Sequence, residues 1–156
     1  MDKLGKFFYC VLFSGICFSL SSWVGPAPAI KEQKAPLSAQ INFIGNSWHL
    51  AVKRAKAEHR YIFVDAYAVW CGPCKLLKKT TFMDKKVADF FNQNFVNLAV
   101  DTEKGEGIKL AEKWEVDVYP TLLILDYNGE IVDRKMGYVD AKDLLAFGQN
   151  LIKDKK

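Results

Sequence analysis

Two cysteines separated by two residues, Cys71 and Cys74, are the side chains of this sequence best suited to chemistry. Such a pair can be a structural disulfide, half of a zinc site or a dithiol that exchanges disulfides. Zinc needs two further ligands, and the two histidines, His49 and His59, lie upstream at a spacing unsuited to a Cys2His2 site. A disulfide closing so short a loop constrains the unfolded chain very little. These arguments favour a redox dithiol and no metal site.

The N-terminal residues have the layout of a secretory signal peptide. Lys3 and Lys6 precede an uncharged apolar run over 7–20. That run is shorter than the roughly 20 residues that a membrane span requires. Because Ala29 completes a small-x-small triplet with Ala27, we predict a signal peptide over 1–29 that is cleaved after Ala29, with a cut after Ala27 as the alternative.

Removal of this segment reduces the number of cysteines in the mature chain. Of the 4 cysteines, Cys10 and Cys17 fall within the predicted signal peptide, so the mature chain keeps Cys71 and Cys74 alone. We therefore expect a periplasmic or secreted protein, in a compartment where disulfides can form.

The composition is that of one globular domain. Half of the 156 residues are apolar and 13% are aromatic, which excludes a disordered chain. The net charge is +4 with both signs interspersed, so the composition does not favour a nucleic-acid partner. We predict a flexible leader over 30–45 and a single domain over 46–156.

Hydrophobic periodicity predicts alternating strands and helices. A buried strand over 61–67 carries one charge, Asp65, and Asn128-Gly129 predicts a hairpin turn with two residues of positive φ. Asn46 or Ser47 is expected to cap the first helix. The predicted helices are 47–59, 85–92, 105–114 and 141–152, together with a run that the Cys71–Cys74 segment opens and that continues through 75–79. The predicted strands are 61–67, 95–101, 121–126 and 130–135, with an extended stretch over 41–44. This order predicts an α/β fold with a mixed four- to five-stranded sheet and helices on both faces.

Three segments carry a resemblance to a known family. Val64-Asp65-Ala66-Tyr67-Ala68-Val69-Trp70-Cys71-Gly72-Pro73-Cys74-Lys75, Tyr119-Pro120-Thr121 and Asn128-Gly129-Glu130 resemble the active-site, cis-proline and hairpin segments of thioredoxin. The resemblance implies a thioredoxin fold from about residue 47 to about residue 152. The segment over 81–87 is similar to periplasmic thioredoxin-like proteins such as the C-terminal domain of the thiol:disulfide interchange protein DsbD.

The resemblance and the chemistry together assign three catalytic roles. A helix that begins just after Cys71 stabilises its thiolate, which makes Cys71 the expected nucleophile. Cys74, one turn further along, is expected to be more buried and to resolve the mixed disulfide, leaving a Cys71–Cys74 redox disulfide. Asp65 resembles the buried aspartate of thioredoxins and is expected to accept the proton of Cys74.

Two expectations concern the charges near Asp65. Where thioredoxin carries a lysine near this aspartate, the chain has Asn97, so the resemblance supplies no cation there. The lysines that follow the motif, Lys75, Lys78 and Lys79, are expected to form the solvated face of their helix.

Five residues are expected to contact the substrate. Trp70 and Tyr119 would supply an apolar rim, and Pro73 would stiffen the loop that it forms with Gly72. Pro120 is expected to follow a cis peptide bond, in a loop where the Tyr119 backbone pairs with an extended client segment.

In thioredoxin-like proteins, a Gly-Pro pair between the cysteines goes with reducing behaviour.

The resulting prediction is a thioredoxin-like protein-disulfide reductase. Its expected partners are client proteins with disulfides and a membrane electron donor of the DsbD type, and it is expected to be a monomer. No cofactor is implied, because the dithiol itself carries both electrons. The alternatives are a disulfide oxidase or isomerase, which uses the same chemistry, and a non-catalytic binding module that retains the fold.

Overall fold

The computed structural model describes residues 39–153. The predicted signal peptide and the first part of the predicted leader lie outside these residues. The elements in chain order are β1 (Ile44–Gly45), α1 (Trp48–Glu58), β2 (Tyr61–Tyr67), α2 (Gly72–Lys79), a 3-10 turn (Thr81–Met83), α3 (Lys85–Asn94), β3 (Phe95–Asp101), α4 (Glu106–Lys113), β4 (Thr121–Leu125), β5 (Ile131–Met136) and α5 (Ala141–Lys153). No helix within 39–153 is long and apolar enough to cross a membrane.

The five strands form one mixed sheet in the order β1-β3-β2-β4-β5. β3 pairs in parallel with β1 and with β2, whereas β4 is antiparallel to both β2 and β5. The predicted mixed sheet with helices on both faces is confirmed. Ile44 and Gly45, at the end of the predicted leader, pair with Leu98 and Ala99 of β3.

The alternation of side chains along β2 divides the core into two layers. Ile62, Val64 and Ala66 face the layer that contains α1 and α4. Phe63 faces the opposite layer, where α2, α3 and α5 pack. Asp65 shares the face of Phe63, so a buried strand places one carboxyl group beneath α2.

The beginning of α1 differs from the predicted cap. Ser47 occupies the N-cap position, but its side chain makes no capping hydrogen bond. The Trp48 N–H donates instead to the Glu106 carboxylate at 2.8 Å. Asn46 uses its side-chain oxygen to accept the Asp101 N–H at 2.7 Å, which ties this loop to the end of β3. Acceptors and donors from distant segments therefore replace the local cap.

The hairpin between β4 and β5 also differs from the predicted turn. Of its two central residues, Gly129 has a positive φ of 93° and Asn128 does not. The Asp126 carboxylate accepts the N–H groups of Asn128 at 2.8 Å and Glu130 at 3.0 Å, which stabilises a longer loop. A Cβ at Gly129 would lie 2.8 Å from the Trp48 ring, so both φ and space favour glycine.

Candidate active site

Cys71 and Cys74 lie at the junction between β2 and α2 and are joined in a disulfide. Their Sγ atoms are 1.99 Å apart and their Cα atoms 5.4 Å apart. Cys71 is the N-cap residue of α2, and its sulfur accepts the Cys74 N–H at 3.1 Å. The sulfur therefore lies where backbone N–H groups and the positive end of the helix dipole favour negative charge.

The burial of the two cysteines differs from the expectation. Each residue is 2% exposed in the disulfide form, so Cys74 is not the more buried of the two. The physical reason is that the disulfide holds both sulfurs in one small cluster with Ala68, against which Tyr67 and Tyr119 pack.

Trp70 forms the most exposed aromatic surface beside the disulfide. The residue is 64% exposed, and its indole N–H lies 2.9 Å from both carboxylate oxygens of Glu103. Its ring meets Tyr119 edge-on, with the centroids 5.7 Å apart. Trp70 is thus held from two sides while most of its surface stays open to solvent. Sequence reasoning missed Glu103, because nothing in its spacing relates it to Trp70.

The remaining predicted contact residues surround the same region. Gly72 and Pro73 are the first two residues of α2 and are exposed, and the space that a Cβ of Gly72 would occupy is open to 4 Å. The Tyr119–Pro120 peptide bond is cis, as predicted, and Pro120 is buried. The structure therefore places the predicted contact residues at the first turn of α2 and in the neighbouring loops.

Asp65 lies in the interior of the protein, on the sheet face beneath α2. Its side chain is 0% exposed, and neither carboxylate oxygen has a hydrogen-bond partner among the described residues. Burial raises the pKa of Asp65 to about 7, while the positive charge of Lys78 acts in the opposite direction. A carboxyl group with this pKa can both accept and release a proton near neutral pH.

The positive charge near Asp65 comes from a residue that was expected elsewhere. Lys75 and Lys79 are exposed as predicted, but Lys78 is half-buried with its Nζ 3.9 Å from an Asp65 carboxylate oxygen. Asn97 donates its amide to the Asn92 side chain at 3.1 Å. The expectation of a fully solvated lysine face is therefore wrong for Lys78, because this helix turn faces the sheet.

No group of three or more His, Cys, Asp or Glu side chains within 39–153 is arranged to hold a metal ion.

The family model of the thioredoxin-like domain matches residues 48–152. The chain belongs to the thioredoxin-like family. The solution structure of a "putative disulphide-isomerase" from Bacteroides thetaiotaomicron is 50% identical, with a TM-score of 0.62, and the match covers 69% of this chain and 88% of that one. A thioredoxin structure from Thermus thermophilus is 22% identical, with a TM-score of 0.64 over 72% of this chain and 88% of that one, and shows the same fold.

Among curated relatives, the thiol:disulfide interchange protein DsbD of Yersinia pestis (strain Pestoides F) is 33% identical over 115 residues, or 70% of this chain. The chain spans 19% of the length of that relative. With its joined Cys71–Cys74 pair, this thioredoxin-like protein is a member of a disulfide oxidoreductase family.

Proposed function

We propose that this thioredoxin-like protein reduces disulfides of client proteins outside the cytoplasm through Cys71 and Cys74. The observation that carries this proposal is the position of the Cys71 sulfur at the N-terminus of α2, bonded to Cys74 and accepting its N–H at 3.1 Å. A thiolate, and not a thiol, attacks a disulfide, and this position stabilises a thiolate.

The reaction takes place in two exchanges. The Cys71 thiolate attacks one sulfur of the client disulfide, the client S–S bond breaks, and the other client sulfur leaves as a thiolate. The Cys74 sulfur, once it has lost its proton, then attacks Cys71. The mixed disulfide breaks, the second client thiolate leaves, and the Cys71–Cys74 disulfide remains. The client gains two electrons and the protein dithiol loses two.

Asp65 supplies the base for the second exchange. The Cys74 thiol is buried, so water cannot easily take its proton. Asp65 lies on the sheet face that α2 covers, and its pKa of about 7 suits proton transfer at neutral pH. The carboxylate accepts the Cys74 proton as the sulfur attacks, and the departing client thiolate is protonated afterwards.

The client binds across the loops around Cys71. Trp70 and Tyr119 form an apolar rim, and the open space above Gly72 and Pro73 leaves room for an extended segment. The Tyr119 backbone, next to Pro120, pairs with that segment by main-chain hydrogen bonds. Such pairing requires little side-chain specificity, which suits a protein with many clients.

Three points support the proposed direction and location of the reaction. The Gly72-Pro73 pair is the dipeptide that goes with reducing thioredoxins. The relative DsbD is a thiol:disulfide interchange protein, and the sequence predicts a signal peptide over 1–29 before the domain over 46–156. On these grounds we propose a periplasmic or secreted reductase that a membrane donor of the DsbD type returns to the dithiol form. We also propose that it is a monomer.

An isomerase or oxidase is the second candidate function. One observation favours it, the 50% identity to the "putative disulphide-isomerase" of Bacteroides thetaiotaomicron. A binding module is the third candidate, but binding alone does not require a dithiol at a helix N-terminus above a buried acid.

The reduction potential of the Cys71–Cys74 pair in the full chain distinguishes these functions. Titration with glutathione or dithiothreitol, followed by tryptophan fluorescence, is expected to give a value near about −270 mV, the thioredoxin value. A value near about −120 mV, that of the oxidant DsbA, would reverse the assigned direction. A chain without any redox transition would have only the binding function.

A trapping variant tests whether proteins are the substrates. Cys74→Ser is expected to accumulate mixed disulfides with client proteins, because the second exchange is blocked, and Cys71→Ser is expected to accumulate none. Equal trapping by both variants would contradict the assigned roles of the two cysteines.

A further inference from the structure

One lysine of α2, Lys78, is only partly exposed to solvent. Lys78 is 39% exposed in its side chain, and its Nζ lies 3.1 Å from the centroid of the Tyr67 ring and 3.9 Å from an Asp65 oxygen. We propose that Lys78 is a positioning residue for the second thiol exchange, which holds Asp65 in its carboxylate form from a helix instead of from β3. Its catalytic consequence rests on the function proposed above.

The positions of Lys78 in α2 and of Asp65 and Tyr67 in β2 bring these side chains together. Lys78 follows Cys74 by four residues, so the two side chains share one face of α2. Asp65 and Tyr67 are two residues apart in β2 and point to the same face of the sheet. The face of α2 that carries the resolving cysteine therefore covers the strand face that carries the acid.

Tyr67 and Asp65 together hold the ammonium group. The electron-rich face of the Tyr67 ring attracts the cation, and the Asp65 carboxylate attracts it more strongly. Burial lowers the pKa of Lys78, whereas the negative charges of Asp65 and Asp101 raise it. The net effect is a pKa of Lys78 below its ordinary value of 10.5, and the two carboxylates oppose this lowering.

The other charged groups around this pair lie at the end of β3. Asp101 is buried and pairs with Lys104 at 3.4 Å. The Tyr67 hydroxyl is a neutral group at this pH, because burial and then Asp101 and Asp65 raise its pKa. Among the described residues, Lys78 is the cation that forms an ion pair with Asp65.

The position of Asn97 explains why a helix residue has this role. Asn97 lies in β3 opposite Phe63, and its amide donates to the Asn42 carbonyl at 3.4 Å and to the Asn92 side chain at 3.1 Å. Asn97 carries no charge. Lys78 of α2 therefore supplies the positive charge near Asp65, whereas thioredoxin carries a lysine at the position of Asn97.

In the second exchange, Lys78 acts on the state of Asp65 before the proton moves. The Cys74 S–H bond breaks, the proton goes to an Asp65 oxygen, and the Cys74 sulfur forms its bond to Cys71 while the client sulfur leaves. A protonated Asp65 cannot accept this proton. Removal of the Lys78 charge is expected to leave Asp65 protonated in most molecules at pH 7, so the exchange slows there and recovers at higher pH.

The direct test is a titration of Asp65 by carboxyl ¹³C NMR in the oxidised full chain. The resonance is assigned by its loss in Asp65→Asn. Lys78→Met keeps an unbranched chain over Tyr67 without the charge and is expected to move the titration midpoint upward by about one pH unit. The exposed Lys79→Met is the matched control and is expected to leave the midpoint unchanged, and Lys78→Arg is expected to restore it.

Equal curves for Lys78→Met and Lys79→Met, whether shifted or not, would overturn the proposal. So would a change in the thermal unfolding midpoint of Lys78→Met without any movement of the Asp65 titration, because that result indicates a purely structural role.

Single-turnover reduction of a disulfide-bonded peptide tests the catalytic consequence. Lys78→Met is expected to move the pH at which the rate rises upward by the same amount as the Asp65 midpoint. In an Asp65→Asn background, Lys78→Met is expected to leave the rate unchanged, since it acts through Asp65. A further loss of rate in that background would overturn the positioning role.

The Asp65 titration and the rate of peptide reduction test the Lys78 inference and the proposed function separately. A chain in which Lys78→Met shifts the Asp65 midpoint but no variant reduces the peptide supports the Lys78–Asp65 coupling and contradicts the reductase. A chain that reduces the peptide without this shift supports the reductase and contradicts the coupling.

Discussion

Replacement of Asp65 by asparagine is expected to stabilise the protein, and to do so more strongly as the pH rises. The ionised carboxyl group is fully buried, 0% exposed, and accepts no hydrogen bond from any described residue. Folding at high pH must therefore transfer a charge from water into the interior. Asparagine has nearly the same shape and carries no charge, so the variant removes this cost and preserves the packing.

The magnitude follows from the change in pKa. Burial raises the pKa of Asp65 from its ordinary value of 3.8 to about 7, with Lys78 opposing the shift. For an acid with a raised pKa in the folded state, the cost is absent below the unfolded value and complete above the folded value. Each pH unit between the two corresponds to about 1.4 kcal/mol, so the cost grows to about 4 kcal/mol between pH 4 and pH 8.

The assay is urea unfolding of the oxidised wild type and Asp65→Asn at a series of pH values from 4 to 8. The expected result is a small difference in the free energy of unfolding at pH 4 that increases to about 4 kcal/mol at pH 8. Subtraction of the two curves cancels the contributions of all other titrating groups. The exposed Asp133→Asn is the matched control. Its free energy of unfolding is expected to differ from that of the wild type by an amount that does not increase from pH 4 to pH 8.

A difference between wild type and Asp65→Asn that stays constant from pH 4 to pH 8 would refute the reasoning. Such a result means that Asp65 has the same pKa in the folded and the unfolded chain. It would also remove the basis for proton transfer from Cys74 near neutral pH.

Two further predictions concern residues that interact across the fold. Glu103→Ala is expected to raise the KM for a client peptide about fivefold and to leave kcat and the reduction potential unchanged, because Trp70 loses the hydrogen bonds that hold it at 2.9 Å. Steady-state kinetics check this, with the exposed Glu112→Ala as control, and a fall in kcat with unchanged KM would contradict it. Gly129→Ala is expected to lower the free energy of unfolding by about 2 kcal/mol, because it combines a φ of 93° with a contact 2.8 Å from the Trp48 ring. Urea unfolding checks this against Gly45→Ala, whose Cβ meets open space, and an equal effect of both substitutions would contradict it.

Local patterns were sufficient for much of the fold. The bounds of β2 and β3 agree with the predicted strands 61–67 and 95–101, because segments rich in β-branched and aromatic residues indicate buried strands. The first and last helices agree within a residue or two at each end. These features depend on residues that are close together in the sequence, and such residues determine local conformation.

Contacts between distant segments could not be predicted in this way. The helix α1 is capped by Glu106, which lies 58 residues after Trp48. The hairpin predicted at Asn128-Gly129 depends on the side chain of Asp126, so its turn type differs from the one that the dipeptide favours. In each case several acceptors could satisfy the same backbone N–H, and packing selects among them.

The sequence by itself indicated the residues on which the proposed chemistry depends, the Cys71–Cys74 pair and the acid in a buried strand, and the family to which the chain belongs. The Cys71-x-x-Cys74 spacing before a helix and the single charge in β2 are local signals, and they persist however the chain packs. Only the tertiary structure decided which groups act on them. It placed Lys78 beside Asp65 and Glu103 beside Trp70. Lysine and glutamate side chains are long, and their contacts depend on which helix or strand packs beside them. The spacing of residues along the sequence does not contain this information.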